Sequence, residues 1–160
     1  MLYILLDIDG TLLPGHTDDP DRETLTIKLG LSENEFPLTF YADVIHEFAE
    51  ISRLPSCEII MCTSWDESSL EIGRHLDINC SSYMTFVSEN PDHWYKWDSI
   101  VKFCEGHPQD KVILCDDLAS REFTRPKPKN LVKIFQPNPR NGLTMRDLKK
   151  IRKLVEKSKT

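Results

Sequence analysis

Five short apolar runs, each stopped by polar residues, constrain this chain more than any other feature. Leu2-Tyr3-Ile4-Leu5-Leu6 stops at Asp7, Ile59-Ile60-Met61-Cys62 at Thr63, Met84–Val87 at Ser88, and Val112-Ile113-Leu114-Cys115 at Asp116; Val132-Lys133-Ile134-Phe135 is closed by Pro137 and Pro139. Runs of this length suit strands buried on both faces of a parallel sheet. Stretches with helical spacing lie between them. Val44, Ile45, Phe48 and Ile51 predict a helix over 40–53, ended by Pro55; a second covers 65–76. Trp97, Ile100, Val101 and Cys104 mark a third, and Leu148, Ile151 and Val155 mark the last, opened by Thr144 and Asp147 as a capping pair with Leu143 placed to staple Leu148. Strands alternating with helices predict an α/β protein around a central, mostly parallel five-stranded sheet.

Chemistry is expected where the runs stop, because ligands of open α/β sheets bind at the carboxyl edge. Asp7-Ile8-Asp9-Gly10 places two carboxylates two residues apart, on one side of the chain if the strand geometry persists. Such a pair repels unless a cation intervenes, and oxygen ligands favour a hard ion such as Mg²⁺. A plain Asp-Gly turn is the alternative. Thr63 ends the second strand with its hydroxyl free, beside a predicted helix start that favours an anion, while Ser64 and Glu67 have capping-box spacing. Lys96 stands at the head of a helix, where a cation opposes the dipole unless an anion is near; Lys102 falls further along, on the exposed face. Asp116-Asp117 repeats the acidic strand end, with Asp117 as either a metal ligand or a turn cap.

At 160 residues the chain is expected to form one domain, 1–160, burying roughly 70% of its unfolded surface without staples. Residues 14–38 read as a polar excursion with at most a short helix around Arg22–Leu29, too short for an independent lid. Five cysteines without a Cys-x-x-Cys pair read as reduced residues of a cytoplasmic protein, and no apolar stretch approaches the length of a membrane span. The net charge of −6 is unevenly divided: residues 1–95 hold 18 acidic and 4 basic side chains, and residues 96–160 hold 8 and 16. Arg121, Arg125, Lys127, Lys129 and Lys133 follow the acidic strand end, so a basic surface for a polyanion stands beside the plainer reading of a solvated basic helix.

In this order, Asp-Ile-Asp-Gly-Thr, Thr63, Lys96 and Asp116-Asp117 resemble the four motifs of the haloacid dehalogenase-like (HAD) superfamily, whose core is a three-layer Rossmann-like fold. Cys62-Thr63-Ser64-Trp65-Asp66, the Asp116-Asp117 pair and Gly142-Leu143-Thr144 further resemble the small branch without a separate cap domain, the HAD domain of Swiss Army Knife RNA repair proteins. The resemblance implies a phosphatase in which Asp7 attacks phosphorus to give an aspartyl-phosphate and Asp9 serves as general acid and then base. It implies that Thr63 and Lys96 hold phosphoryl oxygens, and that Asp7, Asp116 and Asp117, with the carbonyl of Asp9, bind Mg²⁺. An open site suits a phosphate on a large partner, such as an RNA or DNA end, with Trp65 either stacking on a base or belonging to the core. A small-molecule or nucleotide phosphatase and a non-catalytic phosphate-binding module are the alternatives.

Overall fold

The computed structural model describes residues 1–31 and 34–159. In chain order the elements are β1 (Leu2–Leu6), β2 (Thr24–Leu31), β3 (Asn34–Tyr41), α1 (Ala42–Ser52), β4 (Cys57–Met61), α2 (Ser68–His75) and β5 (Cys80–Tyr83). There follow α3 (Trp97–Gly106), β6 (Lys111–Cys115), β7 (Leu131–Phe135) and α4 (Met145–Glu156). Five strands form a parallel sheet in the order β5-β4-β1-β6-β7, flanked by the four helices in a Rossmann-like α/β arrangement. The chain order reverses between β1 and β6, which makes the crevice above that pair the topological switch point.

Side-chain alternation along the strands builds two cores. Leu2, Ile4 and Leu6 of β1 join Ile59 and Met61, Ile113 and Cys115 in one cluster with Val44, Ile45 and Phe48 of α1 and Leu148, Ile151 and Val155 of α4. Leu5, with Ile60, Cys62, Val112 and Leu114, faces the other way onto Trp97, Ile100 and Cys104 of α3. Each such side chain contributes about 1.5–3 kcal/mol of burial. Helix α4 starts as the sequence predicts: the Thr144 hydroxyl accepts from the Asp147 amide at 3.2 Å, and the Asp147 carboxylate accepts from the Thr144 amide at 3.0 Å. Among the described residues no helix is long and apolar enough to cross a membrane.

Three expectations need correction. The segment around Arg22–Leu29 is not helical: β2 and β3 form an antiparallel hairpin between β1 and α1. Leu25, Ile27 and Leu29 alternate with polar residues, and this period of two puts Ile27 and Leu29 on the main core with Leu38 and Phe40 of the partner strand. The other face is wet, with Thr26 and Thr39 sharing a hydrogen bond of 2.8 Å. The strand expected near Met84–Val87 lies earlier, at Cys80–Tyr83, with Met84 packing into the α3-side core and Val87 exposed. The helix expected over 65–76 spans only Ser68–His75.

Because the hairpin's apolar face is part of the core, Phe40→Ala should cost about 3–5 kcal/mol, whereas Thr26→Ala on its wet face should change stability by less than about 1 kcal/mol. Urea denaturation of both variants checks this; equal, small effects would mean that the hairpin is not integral to the fold.

Candidate active site

The two cores dictate which side chains meet at the carboxyl edge of the sheet. Leu5 faces α3, so Asp7, two residues on, does too; Leu114 faces α3, and so does Asp116. Strand register aligns them, since Leu6 pairs with Cys115 and the Asp7 amide donates to the Cys115 carbonyl at 3.0 Å. Lys96 lies immediately before α3 and enters from the same side. Its ammonium is 3.0 Å from Asp7 Oδ1 and 2.7 Å from Asp116 Oδ2, and it donates to the Cys62 carbonyl oxygen at 2.8 Å. Asp7, Lys96 and Asp116 are 6%, 3% and 0% exposed, so these charges interact with little solvent screening.

One ammonium does not balance the acids around it. Burial, and then the charge of Asp116, push the Asp7 carboxyl up to about 7 despite the opposing pull of Lys96. Burial raises Asp116 as well. Burial alone would draw Lys96 toward neutrality, but its neighbours, Asp116 first, hold it above the ordinary lysine value. Asp117 adds a third, half-buried carboxylate, and one oxygen each of Asp7, Asp116 and Asp117 lie within 4.8 Å of one another. An all-oxygen donor set with surplus negative charge fits a hard divalent cation of the Mg²⁺ kind.

Asp117 caps no helix. The Asp116 carboxylate closes the local turn instead, accepting from the Leu118 amide at 2.8 Å. Gly10 makes room for Asp117: its φ of +72° is left-handed, and a Cβ there would lie 2.8 Å from Asp117 Oδ2. The buried Thr11 side chain joins the two loops, its hydroxyl accepting from the Asp117 amide at 3.1 Å.

Asp9 stands apart from this carboxylate cluster. It is exposed, and its Oδ2 accepts from the indole Nε1 of Trp65 at 2.7 Å. Thr63 is buried at the end of β4, and its hydroxyl accepts a long bond, 3.4 Å, from the Trp65 amide. The Ser64/Glu67 capping box does not form. Residues 64–67 make a turn through Asp66, whose φ is +48°, and α2 begins at Ser68 without a side-chain cap, so four residues separate Thr63 from the helix start.

The residues the sequence left unremarked are Thr11, the Cys62 carbonyl, and the rings of Phe86, Trp94 and Tyr95, whose centroids lie 5.6–5.9 Å from the Lys96 ammonium. Trp94 and Tyr95 adjoin Lys96 in the sequence and were visible there. Nothing local marks Phe86 or the partnership of Trp65 with Asp9.

A parallel sheet with an acidic pair across its switch point and a lysine from the helix side is the organisation of the HAD class. The family description "HAD domain in Swiss Army Knife RNA repair proteins" matches residues 3–148, and the chain belongs to that family. Among curated proteins none matches it. Family membership supports a hydrolase of phosphatase type at the level of the superfamily.

The site's charge predicts a pH-dependent response to metal. With Asp7 at about 7 in the fold and near 3.8 when unfolded, the native state keeps a proton that the unfolded chain releases between those values. That contribution to stability is full below about 4 and is lost as the pH rises through about 7. A fixed Mg²⁺ concentration should therefore raise the melting temperature more at pH 8 than at pH 5.5, the shift at pH 8 being roughly 5 °C or more when that concentration is ~100 times the dissociation constant there. Asp7→Asn should blunt that shift. Differential scanning calorimetry with and without Mg²⁺ reads both effects, and equal shifts at the two pH values would contradict the assignment.

Proposed function

We propose that this protein is a Mg²⁺-dependent phosphohydrolase that cleaves a phosphate monoester through an aspartyl-phosphate on Asp7. The observation that carries the reading is the buried Asp7–Lys96–Asp116 contact at the switch point, with Asp117 alongside. Asp7, Asp116 and Asp117, with the main-chain carbonyl of Asp9, would hold Mg²⁺, which neutralises charge on the reacting phosphoryl group when bound.

The chain's own groups divide the remaining work. An oxygen of Asp7 attacks phosphorus while the bond to the leaving oxygen breaks and Asp9 gives that oxygen a proton. In the second half Asp9 takes a proton from water, the water oxygen attacks phosphorus, and the Asp7–phosphorus bond breaks. The Thr63 hydroxyl accepts from the Trp65 amide and keeps its own proton to donate to a phosphoryl oxygen. Lys96 contributes charge: its three hydrogens already have three acceptors, so donation to a phosphoryl oxygen requires it to release one of them.

The substrate we propose is a phosphorylated nucleic-acid end. A cavity of about 570 Å³ between α3 and the segment after Asp117 is lined by Arg125, Lys127 and Lys133 with the apolar Phe123 and Val132, and by Trp97 and the buried Glu122, whose carboxylate pairs with Arg125. Phe123 is 58% exposed, as a stacking surface for a base would be. None of the reacting side chains lines this cavity, so its place in the reading is to hold the strand beyond the scissile phosphate. A nucleotide phosphatase or a binding module remain the competing outcomes.

Wild-type protein should release phosphate from an aryl phosphate only with Mg²⁺, and Asp7→Asn should lose about a thousandfold or more. Folded, Mg²⁺-loaded wild type that binds phosphorylated oligonucleotides without releasing phosphate would instead identify a binding module. If three cations contact a single strand, affinity should fall roughly twentyfold between 50 and 200 mM salt. A flat salt response in a filter-binding titration would remove the basic segment from the reading.

A further inference from the structure

The indole of Trp65 links the turn after β4 to the loop after β1. Its Nε1 donates to Asp9 Oδ2 at 2.7 Å, across 56 positions of sequence. The body of the indole packs against the main core, and the Trp65 amide is tied to Thr63. The turn that carries it passes through the left-handed Asp66, whose carbonyl accepts from the Ser69 amide at 3.0 Å and from the Ser69 hydroxyl at 2.5 Å. Asp9 itself is exposed and has no other side-chain partner among the contacts described. An exposed carboxylate held at one oxygen by a core-anchored ring has a fixed direction that it would otherwise lack.

We infer that Trp65 is the positioning residue for Asp9, fixing which carboxylate oxygen exchanges protons with the substrate. The inference rests on the phosphohydrolase reading above. Indole N–H is a donor only, so it takes no proton from Asp9 and leaves Oδ1 as the oxygen that carries one. Oδ2 accepts from the indole whether Asp9 is ionised or protonated on Oδ1, so the hold persists through both halves of the reaction. When Asp7 displaces the leaving group, the proton on Oδ1 passes to the departing oxygen. When water attacks the phosphorylated Asp7, Oδ1 receives the proton that water loses. Misdirection of an acid by a fraction of an ångström is costly because proton transfer needs a hydrogen-bond geometry.

A positioning role has a signature that a general loss of packing lacks. An ester with a nitrophenolate leaving group departs without an acid, whereas a ribose hydroxyl needs one. For Trp65→Phe, which keeps a ring and loses the N–H, kcat/KM should fall about tenfold or more with a nucleoside phosphate. It should change by less than about threefold with p-nitrophenyl phosphate, since this ratio covers only the steps through leaving-group departure. In Asp9→Ala protein, the Trp65 indole resonance of a ¹H–¹⁵N spectrum should move by more than either of the other two indole resonances.

Equal losses on the two esters, or no loss on either, overturn the inference while leaving the phosphohydrolase reading intact. Wild-type protein that releases phosphate from neither ester overturns both. If Trp65→Phe does not fold, the resonance decides: an indole signal unmoved by Asp9→Ala means that the contact does not exist in solution and the inference fails.

Discussion

An ammonium buried between two carboxylates is the contact on which the rest of this site depends. Taking such ions out of water costs several kcal/mol each, and the cost is offset only where the geometry satisfies every proton. Lys96 meets that condition with Asp7, Asp116 and the Cys62 carbonyl as its three acceptors. Those acceptors stand just beyond the carboxyl ends of three adjacent strands, β1, β6 and β4, and the register of all three has to hold for one lysine to reach them. The order of the sheet is therefore a condition for burying the charge, and the charge in turn rewards that order over its alternatives.

The same contact leaves the site unbalanced. Asp117 adds a third carboxylate to the two that share Lys96, and burial with the charge of Asp116 pushes the Asp7 carboxyl up to about 7. On the proposed reading, a phosphate dianion entering this edge would meet like charge first, so a divalent cation would serve binding as well as chemistry. Surplus acid of this kind costs stability, and a cation held there would offset that cost. Cys62 and Cys115 show the same field from the other direction: both thiols lie at this edge, and burial together with nearby acids, opposed at Cys62 by the ammonium of Lys96, holds them neutral, well above the ordinary thiol range.

Much of this was legible in the sequence because the strands are short and stop abruptly. Leu2–Leu6 running into Asp7, and Val112–Cys115 into Asp116, fixed both the sheet edge and the parity that faces the two acids toward α3. Lys96 was visible as a cation on the wrong end of a helix, and its anions were where that argument required them. Two local patterns misled. The polar composition of residues 14–38 suggested an excursion, although the alternation of Leu25, Ile27 and Leu29 carried the strand signal and the ribbon buries Ile27, Leu29, Leu38 and Phe40 on the main core. Ser64 and Glu67 have capping spacing, but a helix starting there would not include the left-handed Asp66 on which the turn carrying Trp65 to Asp9 is built. Long-range demand overrode a local preference worth about 1 kcal/mol.

Thr11 shows how little freedom the acidic edge retains. Its hydroxyl accepts from the Asp117 amide, and its carbonyl accepts from the Leu143 amide at 2.7 Å, so one buried residue ties the β1 turn to the loop after β6 and to the start of α4. Gly142, at φ +66°, is what permits the second bond, since a Cβ there would lie 2.7 Å from that same carbonyl. A cluster clamped through backbone hydrogen bonds from three sides offers one fixed geometry to any phosphate. On the proposed reading, discrimination between substrates would fall to groups around it: the exposed Tyr95 and Phe123, and the basic segment that lines the cavity beyond. The division is physical as well as functional. Asp7, Thr63, Lys96 and Asp116 are held by register and burial, which tolerate almost no change, while the groups proposed for recognition stand exposed, where substitution costs little stability and would alter what binds.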